Sequence, residues 1–276
     1  LPAAAYRNPF DQGLAMPLSD FVRYLNAQNV PPAPGARSTT PFVSENGQVY
    51  VHFAKLRLES FYSPIIDVAR GELRGHAAGL NAFGVDNRRL LEPEAVFVLP
   101  SDDGEFIYLD RLVRTLHTLN YLIYAPRSSR GTLLLRVHPR HVASVAADHG
   151  LAFEEVLRAC GLMPAQITLE IEVDGVEDSA HLVRATANYK SRGYGIAVGR
   201  FGRREINFGL LDEIGPAIVK LDPLLVASTR PLSQLVDRLH GLGAQVAIEG
   251  QDTAAQREQA RDCGVDLLQV SNPLRA

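Results

Sequence analysis

Several polar residues stand out because each interrupts or ends an apolar run of strand length. Glu170 lies in ITLEIEV (167–173), and Lys220 and Asp222 close AIVKLD (217–222). Glu249 closes QVAIEG (245–250) with Asp252 three residues on, and Gln269 lies in DLLQVS (266–271). Arg136 in LLLRVH (133–138) and Arg200 in GIAVGRF (195–201) place two cations at comparable points. Carboxylates and cations meeting at one place can do acid–base chemistry, hold a cation or lock into a salt-bridge network. Taken singly, each is as well explained by a strand cap or an ion pair. The functional alternative rests on their convergence.

Weaker chemical signals lie elsewhere. His138 and His141 flank Pro139-Arg140 at a spacing that could ligate a metal, but no third ligand is near in sequence. His76 and Cys160 lack a companion that would make a nucleophile–base pair. Ser101-Asp102-Asp103-Gly104 has too few spaced oxygens for a calcium loop and reads as a turn before a helix at Glu105.

Elements must bring the polar strand ends together. Beyond those runs, FYSPIIDV (61–68) and ELRGHAAGL (72–80) complete a set of eight, with helical patterns such as Ala180–Arg192 and Leu232–Leu242 between the later ones. Gly193, Gly243 and Gly264 each fall just before a strand, where a left-handed helix cap belongs. Eight strands alternating with helices fit a TIM-like (β/α)8 barrel, and no Gly-rich phosphate fingerprint supports an open doubly wound sheet. The link around Gly71 is too short for a helical crossover, so the first two strands should be antiparallel. Residues 1–58 read as a small N-terminal extension before a barrel spanning 59–276. The extension comprises a helix at Leu18–Gln28, a Pro-rich loop at Val30–Arg37 and a hairpin over Phe42–Ala54 turning at Asn46-Gly47.

Composition bounds the rest. The 276 residues are 46% hydrophobic and 21% charged, enough to bury a core without disulfides, and the net charge of −3 argues against nucleic-acid polymers. Cys160 and Cys263 have no metal or redox spacing, which fits a reducing compartment. No apolar run approaches a membrane span, and the chain starts at Leu1 rather than Met. The expectation is a cytoplasmic domain cut from a longer multidomain or membrane-anchored protein.

From about Ser60 onward the chain resembles the bacterial EAL domain, whose active members hydrolyse cyclic di-GMP to a linear dinucleotide with two divalent metals. FYSPIIDVARGELRGHAAGL, LEPEAVFVLPSDDGEFIYLDRLV, LRVHPRHV, ITLEIEV, YGIAVGRFGR, IVKLDPLLV, AIEGQDTAAQ and LLQVSNP follow in family order. The resemblance implies an EAL-type barrel in which Glu170, Lys220, Glu249 and Gln269 retain family site positions. The departures are larger. The signature Glu falls at Ala77, the metal-binding Asn at Arg136, and the paired aspartates at Gly199 and Arg200. Asp252 stands for a Glu, and Val173 for a second fourth-strand Glu.

Those changes make the implied site about five charges more positive, where hard divalent ions need several anionic oxygens. One guanidinium ~5 Å from a divalent ion costs about 6 kcal/mol at an effective dielectric near 20. The sequence therefore points to a degenerate EAL domain that is not an enzyme, binds no metal and needs no cofactor. Arg136 and Arg200 are expected to pair with Glu170, Glu249, Asp222 or Asp252 across the barrel mouth.

In non-catalytic receptors of the family a Gln and an Arg contact cyclic di-GMP; here those positions are Ser63 and Asn81. Arg136, Arg200, Arg203 and Arg204 offer another approach to a phosphate, although the last two also read as a solvated loop. The first expectation is a regulatory domain of cyclic di-GMP signalling, in motility or biofilm output, acting on an unidentified protein partner. The alternative is a metal-independent cyclic di-GMP receptor. Ile206, Phe208, Leu210, Leu211 and Ile214 within Phe201–Gly215 suit either core packing or a homodimer face.

Overall fold

Connection length decides how the apolar runs pair. The computed structural model describes residues 18–28, 41–125, 131–174, 176–226, 232–250 and 253–271. β1 (Phe42–Glu45) and β2 (Gln48–Phe53) form the expected hairpin, with Asn46 and Gly47 both left-handed at φ +52° and +75°. Such a turn matches the natural twist of the two strands. β3 (Leu56–Asp67) and β4 (Leu73–Gly84) are long and antiparallel, as their short link requires, and β5 (Leu90–Leu91) pairs onto β4. β6 (Thr132–Val137), β7 (Ile167–Glu172), β8 (Gly195–Phe201), β9 (Ile218–Leu221), β10 (Gln245–Glu249) and β11 (Leu267–Gln269) follow in parallel from β4. β11 returns antiparallel to β3 and closes the barrel. The hairpin extends the same sheet through β2–β3 pairing, and β3 runs through residue 58.

Helices cover the outside. They are α1 (Leu18–Gln28), α2 (Pro93–Phe97), α3 (Asp103–Tyr124), α4 (Pro139–Ser144), α5 (Leu151–Ala159), α6 (Ser179–Ser191), α7 (Phe208–Ile214), α8 (Pro223–Val226), α9 (Leu232–Gly241) and α10 (Ala254–Asp262). α1 spans the residues expected, whereas the Val30–Arg37 loop lies outside the described residues. Gly193 and Gly243 follow α6 and α9 with φ +92° and +78°, supplying the left-handed cap. The Ser101–Gly104 run is a helix start: the Asp102 carboxylate accepts from the Glu105 N–H at 2.8 Å.

α3 explains how the hairpin is held. It packs on β2, β3 and β6 and is buried on most sides, so its polar residues need internal partners. Asn120 accepts from the Val49 N–H (2.9 Å) and donates to the Val49 carbonyl (2.7 Å). Asn26 of α1 does the same for Phe42, at 3.1 and 2.9 Å. Two amide side chains thus stand in for a neighbouring strand on opposite edges of the hairpin. Phe21, Val22 and Leu25 of α1 join the main core between sheet and helices. A second, smaller core fills the barrel with Ile65, Ala77, Leu134, Ala197, Ala247 and Leu267. Leu210, Leu211 and Ile214 are buried in the outer core, with Ile206 and Phe208 packed against it. No helix among the described residues is long and apolar enough to cross a membrane.

Candidate site at the barrel mouth

Period-two alternation sends Glu170 inward from β7, and the same holds for Lys220 on β9, so the two meet inside the wall. Lys220 Nζ donates to Glu170 Oε2 at 2.8 Å and to Gln269 Oε1 at 3.2 Å, and lies 3.6 Å from Glu249 Oε2. Glu170, Lys220 and Gln269 are all buried, while Glu249 is half-exposed at the rim. Burial alone would raise the Glu170 carboxyl, but Lys220 and then Arg136 outweigh it and hold its pKa below the ordinary value. The second oxygen, Oε1, is buried without a hydrogen-bond partner among the described residues. Above these groups opens a cavity of about 390 Å³, walled also by Phe61, Ser63, Phe97, His117 and Ser271. A cavity of similar size, about 400 Å³, sits at the opposite end of the barrel around Arg74, Gly131 and Gln245 and contains none of these groups.

The two arginines do enter the mouth, with partners that differ in part from those expected. Arg136 NH2 and NH1 lie 3.9 Å from Glu170 Oε1 and from Glu172 Oε1. Partial loss of solvation in the mouth lowers its pKa, but Glu170, Glu172, Glu249 and Glu94 together outweigh that and raise it. Arg200 lies 3.5 Å from Glu172 and 3.6 Å from Glu94 of α2. Glu172 and Glu94 were missing from the sequence reading. Glu172 had a signal, since two residues after Glu170 it must share that face; Glu94 is brought in by the α2 turn and had none. Asp222 is buried and accepts from the Leu224 N–H at 2.9 Å, and among the described residues it forms no ion pair with either arginine. Asp252 lies outside the described residues.

Local backbone makes room for this arrangement. The β8–β9 register shifts between Val198 and Phe201, a bulge that carries Gly199 and Arg200. A Cβ on Gly199 would sit 2.5 Å from Glu170 Oε1, so the glycine leaves space for that carboxylate. Arg200 adopts φ +49°, a left-handed conformation unusual for a side-chain-bearing residue. His117 reaches the mouth from α3; its Nδ1 is 2.8 Å from Ser60 Oγ, and burial pushes its pKa down to about 4.

Other sequence candidates go elsewhere. Ser63 and Asn81 are buried, and Ser63 lines the mouth. Arg203 and Arg204 are exposed, as the loop reading has it. His138 stacks on Phe97 and Phe106, whereas His141 packs on Asp110 and Arg114, so the two rings serve different neighbours. Burial pushes the Cys160 thiol up to about 12, and His76 Nδ1 lies 3.2 Å from the Tyr121 hydroxyl.

With this geometry in place, the EAL domain family matches residues 48–269. The chain belongs to the EAL domain family. Among solved structures it resembles Klebsiella pneumoniae BlrP1, a manganese/cy-diGMP complex, at 17% identity and a TM-score of 0.65, covering 77% of this chain and 54% of that one. A standalone EAL protein from Vibrio cholerae O395 in its c-di-GMP-bound form matches at 20% identity and a TM-score of 0.64, covering 77% and 89%. The Bacillus subtilis YkuI protein, in complex with c-di-GMP and calcium, matches at 18% and 0.65, covering 79% and 55%. The chain thus spans little more than half the length of two of these. No curated protein matches it. These likenesses establish the barrel fold.

The family resemblance implied a pair of divalent ions, and the residues present do not fit it. Ala77 and Gly199 offer no side-chain donor, and Arg136 and Arg200 bring cations to the remaining carboxylates. Among the described residues, no group of three His, Cys, Asp or Glu side chains is placed to hold a metal ion.

Proposed function

We propose that this domain regulates bacterial cyclic di-GMP signalling without hydrolysing the dinucleotide, by contacting a protein partner in the cytoplasm. The observation carrying this reading is the Arg136 guanidinium 3.9 Å from both Glu170 and Glu172. Two-metal hydrolysis needs bridging anionic ligands that hold the ions ~3.5–4 Å apart; a guanidinium charge beside those carboxylates opposes it. Without the ions no Lewis acid lowers the pKa of the attacking water.

A second reading, a metal-independent cyclic di-GMP receptor, draws support from the open cavity and the half-exposed Arg136. Against it, Arg136, Arg200 and Lys220 each already face a carboxylate, so a phosphate would compete with Glu170, Glu172, Glu94 or Glu249. Calorimetry with cyclic di-GMP, with and without Mg²⁺ or Mn²⁺, separates the readings when chromatography of the nucleotide accompanies it. We expect no heat and no linear product. Micromolar binding without metal, about −8 kcal/mol, would favour the receptor, and metal-dependent product would overturn both.

A further inference from the structure

We infer that Arg136 is a resident counter-ion occupying a cation slot between Glu170 and Glu172, and that the slot takes an external guanidinium only when Arg136 is removed. Three observations meet here. Glu170 lines the cavity, and its Oε1 is buried with no hydrogen-bond donor among the described residues. Gly199 packs directly against that oxygen, where any Cβ would come within 2.5 Å of it, so the carboxylate keeps this position only beside a glycine. Arg136 stands beside it, its nitrogens 3.9 Å from Glu170 Oε1 and from Glu172 Oε1, too far for hydrogen bonds.

Arg136 therefore holds the slot by charge rather than by directional bonding. It reaches in from β6, where it lies in register beside Glu170 on β7, and its side chain remains 42% exposed. Lys220 satisfies the other oxygen, Oε2, and its Nζ is already shared with Gln269 and Glu249, so it is poorly placed to take over Oε1. Removing the guanidinium leaves a buried carboxylate that lines a cavity large enough for a small planar cation. The matching probe is methylguanidinium, which presents the Arg136 head group without its stem.

The test is the thermal unfolding midpoint of the full chain in ~50 mM methylguanidinium chloride against the same concentration of NaCl. R136A should melt about 2–6 °C below the parent. Methylguanidinium should restore at least half of that loss, as expected for a ligand present at several times its dissociation constant. The parent protein and the double variant R136A/E170Q should show no gain. Equal recovery in NaCl, an unshifted R136A, recovery in the E170Q background or an equal gain in the parent protein would each overturn the inference. Should R136A fail to fold, R136Q carries the same comparison. Failure of both to fold also overturns it, because a displaceable counter-ion is not needed for folding. No nucleotide enters this experiment, so its outcome is independent of whether the domain binds or hydrolyses cyclic di-GMP.

Discussion

Two clusters of charge in this molecule are satisfied in opposite ways. On α3, Asp110 and Arg114 are both nearly sealed from solvent; Arg114 donates from Nε and NH2 to Asp110 Oδ2 at 3.0 and 2.6 Å. Asp110 Oδ1 accepts from the His138 N–H, and Arg114 NH2 lies 3.2 Å from His141 Nε2. At the mouth, the arginine–carboxylate contacts run from 3.5 to 3.9 Å, and among the described residues Glu170 keeps an oxygen without a hydrogen-bond partner. The first cluster is closed by short hydrogen bonds between Arg114 and Asp110 and acts as a strut between α3 and α4. The second is more loosely paired and borders an open cavity. The largest test of this contrast is R114A, which strands the buried Asp110. It should cost about 3–5 kcal/mol in urea unfolding, and a loss below about 1 kcal/mol would erase the distinction.

Acid should reach both clusters, in sequence. His117 at the mouth is held neutral, with its pKa about 4, while the unfolded chain titrates near 6.5. The unfolded state therefore binds more protons between those values, so stability is full above pH 6.5 and falls as pH drops toward 4. His141 behaves alike, its pKa pushed down by burial to about 3. Asp110 and Glu170 act lower down. Burial raises each, but Arg114 and Lys220 respectively outweigh it, and both end below the ordinary carboxylate value. Their contribution is present above about pH 4 and is lost only as pH falls through the depressed values. H117Q should remove roughly 2–3 kcal/mol of the stability change between pH 7 and pH 4. An unchanged pH slope in urea denaturation would mean that the ring is solvated in the folded protein.

The sequence displays the mouth more clearly than the strut. Strand runs were legible because alternating or continuous apolar residues stop at glycines, and the hairpin was legible because Asn46-Gly47 accepts two left-handed residues. Glu170, Lys220, Glu249 and Gln269 were visible as polar breaks in those runs, and the structure brings all four together. Asp110 and Arg114 gave no such contrast. An i,i+4 pair on a helix is ordinary at a surface, and only the packing of α3 against β2, β3 and β6 makes it internal. Asn26 and Asn120 escape for the same reason, since their partners are backbone groups 16 and 71 residues away. Alternation within β7 pointed to Glu172; no local pattern pointed to Glu94.

The smallest effect is also the sharpest probe of how firmly the mouth is fixed. Arg200 sits on the β8 bulge at φ +49° and makes two contacts, at 3.5 and 3.6 Å, with its side chain 31% exposed. Contacts of that kind contribute about 0–1 kcal/mol, and a non-glycine residue in the left-handed region costs roughly 1 kcal/mol. R200G loses the contacts but relieves the backbone, so its stability should stay within about 0.5 kcal/mol of the parent. R200A loses the contacts and keeps the strain, so it should fall about 1 kcal/mol below R200G in urea unfolding. If R200G instead proves as costly as R200A, the left-handed backbone carries no strain there, and a common loss above about 1 kcal/mol relative to the parent would make the contacts to Glu172 and Glu94 a strut like the α3 cluster. If the gap appears, the strained arginine is held there by the surrounding fold while contributing little to it, as expected of a residue that belongs to a site.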